Sequence, residues 1–181
     1  MRRLLYFSIL LILFINKQDT AYSLLNKQNS FEAKKPFIVQ EINLNIPNKS
    51  TITFTQVPRG IILSVDQSEL FENQSCTITE NGTLLLKEIA KLLENFNNNC
   101  TIEAHTEENI LLNEAVNEDW ELSIIRANAI AEYFKNNTNI ETSRIFPIGF
   151  GHIMPFKDNV APKDFSNNRI DFVIFDYTAN R

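Results

Sequence analysis

The chain has 181 residues, of which 44% are hydrophobic, and a formal net charge of −5. That length suits one ordinary domain plus a short appendage, and that apolar content supports a packed core and excludes a disordered chain. An acidic balance with no basic stripe would repel a phosphate backbone, so no nucleic acid is expected as a partner.

Arg2 and Arg3 form a positive start, and Leu4 to Ile15 is a run of twelve residues, apolar apart from Ser8. Asn16-Lys17-Gln18-Asp19 ends the run, and Ala21-Tyr22-Ser23 places small residues at the −3 and −1 positions of a cleavage site. This layout is that of a secretory signal peptide over residues 1–23, and it predicts export to the periplasm. Twelve residues fall short of the twenty or so that span a bilayer, so a membrane anchor through residues 4–15 is the alternative. No cysteine lies near residue 20 to carry a lipid. Without Arg2, Arg3, Lys17 and Asp19, the 17 basic and 22 acidic residues fall to 14 and 21, which deepens the negative charge.

Residues 24–50 lack steady periodicity and read as a tether. Thr51 to Val57 then alternates at period two, Pro58-Arg59-Gly60 has turn chemistry, and Ile61 to Val65 follows as a second strand. Thr79 is a good N-cap for a helix from Glu80 to about Phe96, with Leu85, Leu86, Ile89, Leu92, Leu93 and Phe96 at helical spacing. Cys100 to His105 reads as a strand and residues 107–118 as a loop. A second helix is expected from Trp120 to about Lys135, with Leu122, Ile125, Ala129, Ile130, Tyr133 and Phe134 along its apolar side. Ser143 to Gly149 reads as a third core strand, Phe150 to Asn168 as a long loop, and Arg169 to Asp176 as the closing strand. The order predicts an α+β sandwich, β-α-β-α-β-β after an extra N-terminal strand, with two helices on one face of a mixed sheet over residues 51–181.

Each of the four glycines, Gly60, Gly82, Gly149 and Gly151, is expected where backbone geometry demands it. Cys76 and Cys100 flank the first helix at opposite ends. Some 20 Å of helix between them argues against an internal disulfide and leaves free thiols or an intermolecular link.

Four stretches fall in a recognisable order. They are Ala104-His105-Thr106-Glu107 at a strand end, Asp119-Trp120-Glu121-Leu122-Ser123-Ile124-Ile125-Arg126-Ala127 opening a helix, Ile148-Gly149-Phe150-Gly151 with Pro155 beyond it, and Asn167-Asn168-Arg169-Ile170-Asp171 before the last strand. Together they resemble the OmpA/MotB-like C-terminal domain family, whose pattern runs GHTD, NxxLSxxRA, GxG with a following Pro, and NRRVE. The wording WELS and the 19-residue step from Glu107 to Arg126 look more like the MotB branch. The resemblance implies an OmpA-like fold and non-covalent binding of peptidoglycan at the diaminopimelate residue of its stem peptide, so that envelope or an attached assembly is held to the wall. In the family the Asp of GHTD meets the ligand's ammonium and the Arg of LSxxRA its carboxylate. Carried over, those roles fall on Glu107 and Arg126, and Thr106, Asp119 and Arg169 are expected as further ligand-binding residues beside them. This chain departs from the pattern at Ala104, Glu107, Asp119 and Asn168.

The chemistry is sensible on its own terms. A free amino-acid end is a zwitterion, so its site needs one anion and one cation, and a guanidinium forks onto a carboxylate. Simpler readings stand beside this one. Arg126 could be a surface residue pairing with Glu121 or Glu107, Asp119 a helix N-cap, Trp120 a packing residue, and Arg169 a strand-ordering residue at the site's edge. His105 and Ser123 carry ingredients of a hydrolytic triad without a nucleophile elbow, so no catalysis and no cofactor is expected. A zinc site on His105 and Glu107 lacks partners when only His152, Cys76 and Cys100 are counted, so no metal is expected. Two rival functions are an OmpA-like interaction module that has lost wall binding and holds an envelope protein, and a flagellar stator-like subunit. The stator needs an acid inside a membrane helix, and Leu4 to Ile15 holds none. A homodimer is left open.

Overall fold

The structure is a computed structural model that describes residues 51–107, 119–156 and 166–176. The expected signal peptide (1–23), the tether (24–50) and most of the 107–118 loop lie outside the described residues. Five strands, β1 (Ile52–Val57), β2 (Gly60–Asp66), β3 (Cys100–His105), β4 (Ile145–Gly151) and β5 (Arg169–Phe175), alternate with two helices, α1 (Glu80–Asn95) and α2 (Asp119–Asn137). They form one sheet of order β1-β2-β5-β3-β4. The β1/β2, β2/β5 and β5/β3 pairs are antiparallel and β3/β4 is parallel, which makes the sheet mixed. This is the expected α+β architecture. The last strand in sequence is the central one in space, because it inserts between β2 and β3.

Alternation along the strands builds the core. Ile61, Leu63 and Val65 of β2 stand opposite Ile174, Phe172 and Ile170 of β5, which in turn face Cys100, Ile102 and Ala104 of β3. All nine are buried, and the ring of Phe134 on α2 meets that of Phe172 with centroids 6.2 Å apart. Burial of an aliphatic or aromatic side chain of this kind is worth roughly 1.5–3 kcal/mol each. The β1/β2 turn depends on Gly60, at φ +148°, where a Cβ would sit 2.0 Å from the Ile174 carbonyl oxygen.

Helix α1 begins as expected. Thr79 Oγ1 accepts a 2.9 Å bond from Gly82 N, and Glu80 places a negative charge in the first turn. Helix α2 differs from expectation in which side it buries. The row at i+4 spacing is Leu122, Arg126, Ile130 and Phe134, while Ile125 is exposed, so the face is rotated toward the arginine. An arginine in an apolar row is misread as the polar side when the helix is judged by hydrophobicity alone. Strand β4 is an edge rather than a core strand, and its Phe146 is exposed. Gly149 lets α2 close onto it: a Cβ there would meet Ile124 N at 2.5 Å and Ser123 Oγ at 2.6 Å. No helix among the described residues is long and apolar enough to cross a membrane.

Candidate functional site

Arg126 is 2% exposed, so it is not a surface residue pairing with a neighbouring carboxylate. Its Nε donates to the Ser75 carbonyl oxygen at 2.8 Å, Nη1 donates to Gln67 Oε1, and the guanidinium lies 5.4 Å from the Phe71 ring centroid. Among the described residues no acceptor meets Nη2. Burial pulls its pKa down to about 10, which still leaves it charged at neutral pH. A buried cation without a carboxylate partner is costly, and an incoming anion would relieve that cost. The side chain forms part of the wall of a pocket of about 380 Å³, shared with Asp66, Gln67, Phe71, Ser166 and Asn168.

Glu107 follows β3 directly and is exposed. Its backbone N–H donates to Asn168 Oδ1 at 2.8 Å, and its Oε1 accepts from Ser166 Oγ at 3.1 Å. Ser166 and Asn168 therefore line the Arg126 pocket with one face and hold Glu107 with the other. The guanidinium of α2 lines the pocket itself, whereas the carboxylate after β3 is bonded to Ser166, one of the residues of its wall.

The other three candidates lie apart from that pocket wall. Thr106 is buried, its N–H donates to Gly151 O at 3.0 Å, and its Oγ1 approaches Asp119 O at 3.5 Å, so it ties β3 to β4 and to the start of α2. Asp119 is the first helical residue rather than the cap before it, and its Oδ2 lies 2.5 Å from His152 Nδ1. Partial burial works to raise the Asp119 pKa, but the bond to His152, the histidine's charge and the first-turn N–H groups outweigh it and hold the pKa below the usual value. Arg169 is buried in the sheet. Its Nε donates to Asp171 Oδ2 at 3.0 Å, its Nη2 donates to Met154 O at 3.1 Å, and it stacks 4.0 Å above the Phe156 ring. Trp120 is 55% exposed among the described residues, against the expectation of a packing role.

Sequence reasoning missed Gln67, Ser75 and Phe71, which cradle Arg126, because they come from an irregular stretch before α1 that belongs to no motif. It treated Asn168 only as a lost arginine, whereas Asn168 positions Glu107. Ser123 Oγ donates to Trp120 O at 2.7 Å and accepts from Gly151 N at 3.0 Å, so its hydroxyl hydrogen is engaged in the helix. Both cysteines are free, and Cys100 is fully buried, which leaves Cys76 as the one of the two exposed for an intermolecular link.

Comparison with known proteins bears on the fold and the family. The chain is 27% identical over 164 residues to the uncharacterized protein YtxE of Bacillus subtilis, across 88% of this chain and 66% of that protein. It thus spans just under two thirds of that relative's length. A MotB-like protein of Desulfovibrio vulgaris superposes with a TM-score of 0.69 at 19% identity, covering 82% of this chain and 97% of that one. The cell wall anchor of the type VI secretion system of Pseudomonas aeruginosa superposes with a TM-score of 0.66 at 18% identity, covering 76% and 96%. Residues 70–169, more than half of the 181, match the OmpA family, with the β1/β2 hairpin and most of β5 outside the matched stretch. The chain belongs to the OmpA family and has the fold of its MotB-like members.

Proposed function

We propose that this chain is a non-enzymatic module that binds peptidoglycan in the periplasm and holds the envelope, or an assembly attached to it, to the cell wall. The observation that carries the reading is that Ser166 and Asn168, which line the small pocket walled by buried Arg126, also hold exposed Glu107. Arg126 would take the carboxylate and Glu107 the ammonium of a diaminopimelate side chain, each by a charge-assisted bond of about 1.5–3 kcal/mol. Thr106, Asp119 and Arg169 would position these two without touching the ligand. The likeness to a cell wall anchor of Pseudomonas aeruginosa supports the wall as target. Export through residues 1–23, or anchoring through 4–15, would place the module there, with 24–50 as the tether to the folded part.

Sedimentation with purified sacculi tests this. The wild type should pellet, and Glu107→Gln and Arg126→Lys should each lose roughly tenfold or more in affinity, consistent with 1.4 kcal/mol or more per contact. Far-UV circular dichroism should show both variants folded. Equal sedimentation of wild type and Glu107→Gln would overturn the assignment of the site. A second reading is favoured by Asp66 and Glu72, two further carboxylates on the pocket wall, which suit a basic protein segment better than a zwitterion. Titration with a free diaminopimelate peptide separates the two readings: heat of binding supports the wall ligand, and none supports an interaction module.

A further inference from the structure

The sheet face that carries no described helix holds a second cluster of charged groups. Glu103 and His105 lie two residues apart on β3 and so point the same way, and Asp171 stands directly across from Glu103 in the β3/β5 register. All three are buried, at 7%, 3% and 5% exposure, and one ligating atom from each lies within 4.8 Å of the others. The geometry points to a divalent transition-metal site of the Zn²⁺ class, made by Glu103, His105 and Asp171, that pins β3 to β5.

Three features carry the assignment. First, two of the three residues, His105 and Asp171, hold buried polar atoms without a well-formed hydrogen bond among the described residues. These are both ring nitrogens of His105 and Oδ1 of Asp171, although Ser64 stands beside Asp171 across the β2/β5 register. Leaving such groups unsatisfied costs about 1–3 kcal/mol each, and one cation would satisfy them together. Second, one oxygen of each carboxylate is held by a neighbouring side chain. Thr101 Oγ1 donates to Glu103 Oε1 at 2.9 Å, and Arg169 Nε donates to Asp171 Oδ2 at 3.0 Å. This is how partners outside a metal's own ligands orient those ligands. Phe150 stacks on the imidazole at 5.2 Å and fixes the ring plane. Third, a simple ion pair leaves the arrangement incomplete. His105 Nε2 lies 3.2 Å from Asp171 Oδ2, but without hydrogen-bond geometry, and the pair leaves Nδ1 and Oδ1 unused.

One imidazole and two carboxylates suit an ion of intermediate softness. Ca²⁺ wants six to eight oxygens and Mg²⁺ an octahedron of oxygen, so neither fits. Elimination by sequence missed the site because it counted histidines and cysteines, whereas the strand register supplies Glu103 and Asp171.

The test uses the full chain with Co²⁺ alone as probe. Titration should give a one-to-one visible d–d band of tetrahedral intensity that Zn²⁺ abolishes and Mg²⁺ does not, and saturating Zn²⁺ should raise Tm by roughly 5 °C or more. His105→Gln should lose both responses, and Cys76→Ser and His152→Gln should keep them. If His105→Gln fails to fold, Glu103→Gln serves in its place. Absence of the band in the wild type, its survival in the folded His105→Gln or Glu103→Gln protein, or its loss in Cys76→Ser or His152→Gln overturns the assignment. Because the readout is metal binding alone, failure here is independent of any result with sacculi.

Discussion

Arg144 supports the strongest stability prediction. Helix α1 ends without glycine: its C-cap Phe96 is extended and its last turn holds no basic residue. Its final carbonyls would therefore be buried without donors. Arg144, in the 3-10 turn before β4 and 9% exposed, supplies those donors from 48 residues beyond Phe96. Its Nε donates to Asn98 O at 3.0 Å, and its Nη2 donates to Leu93 O at 2.8 Å, to Asn98 O at 2.8 Å and to Phe96 O. The positive charge also stands at the negative end of the helix. Replacement by methionine keeps most of the stem volume and strands three carbonyls at about 1–3 kcal/mol each. Release of a desolvated cation, whose pKa burial pulls down, offsets part of that loss. The expected net destabilisation of Arg144→Met is about 3 kcal/mol, or a drop in Tm of roughly 12 °C at ~4 °C per kcal/mol. Arg144→Lys keeps the charge and loses the fork, and it should lie nearer to methionine than to wild type. Urea unfolding followed by circular dichroism measures both. A midpoint for Arg144→Met within about 0.5 kcal/mol of wild type, at unchanged m-value, would refute the reasoning.

Three further outcomes follow from contacts in the motif region. Ser123→Ala strands the Gly151 N–H and frees the Trp120 carbonyl, so it should destabilise by about 1–3 kcal/mol in the same urea assay. Gly149→Ala drives a Cβ against the backbone of α2 and should cost about 2 kcal/mol or more, with a lower yield of folded protein. Asp119→Asn should lose about 1 kcal/mol at neutral pH. The native pKa of Asp119 lies below its ordinary value of 3.8, so its contribution is full above 3.8 and lost as pH falls through the native value. The gap in Tm between wild type and Asp119→Asn should therefore close in acid, and a gap that widened would contradict this.

The strands, helix α1 and the order of elements were legible because their signals are local: alternation in Ile61–Val65, Thr79 as a cap, and apolar spacing along Leu86–Leu93. What escaped was set by contacts between distant segments. The central place of β5 and the edge place of β4 follow from pairing, to which periodicity is blind. The buried face of α2 was mistaken because Arg126 occupies a core position at the Leu122–Ile130–Phe134 spacing. Glu107 and Arg126 came from the resemblance, whereas their link through Ser166 and Asn168 needed coordinates.

The motif that identifies the family is in large part architecture. Thr106 bonds to Gly151, Ser123 bonds to Trp120 and Gly151, Gly149 admits α2, and Arg169 is held by Asp171 and Met154. Each of these would persist in a domain that bound nothing, since its loss would loosen the junction of β3, β4 and α2. A match at those positions therefore testifies to fold and is silent on ligand. Glu107 is different. It is exposed, its carboxylate is met among the described residues by one serine hydroxyl, and its backbone bond to Asn168 would survive a change of side chain. Glu107→Gln should leave stability within about 0.5 kcal/mol of wild type, as for other surface substitutions. A carboxylate with so little structural work, bonded to a residue of the pocket that a buried guanidinium lines, is where binding can be separated from folding, and stability and sedimentation measured on that one variant divide the two.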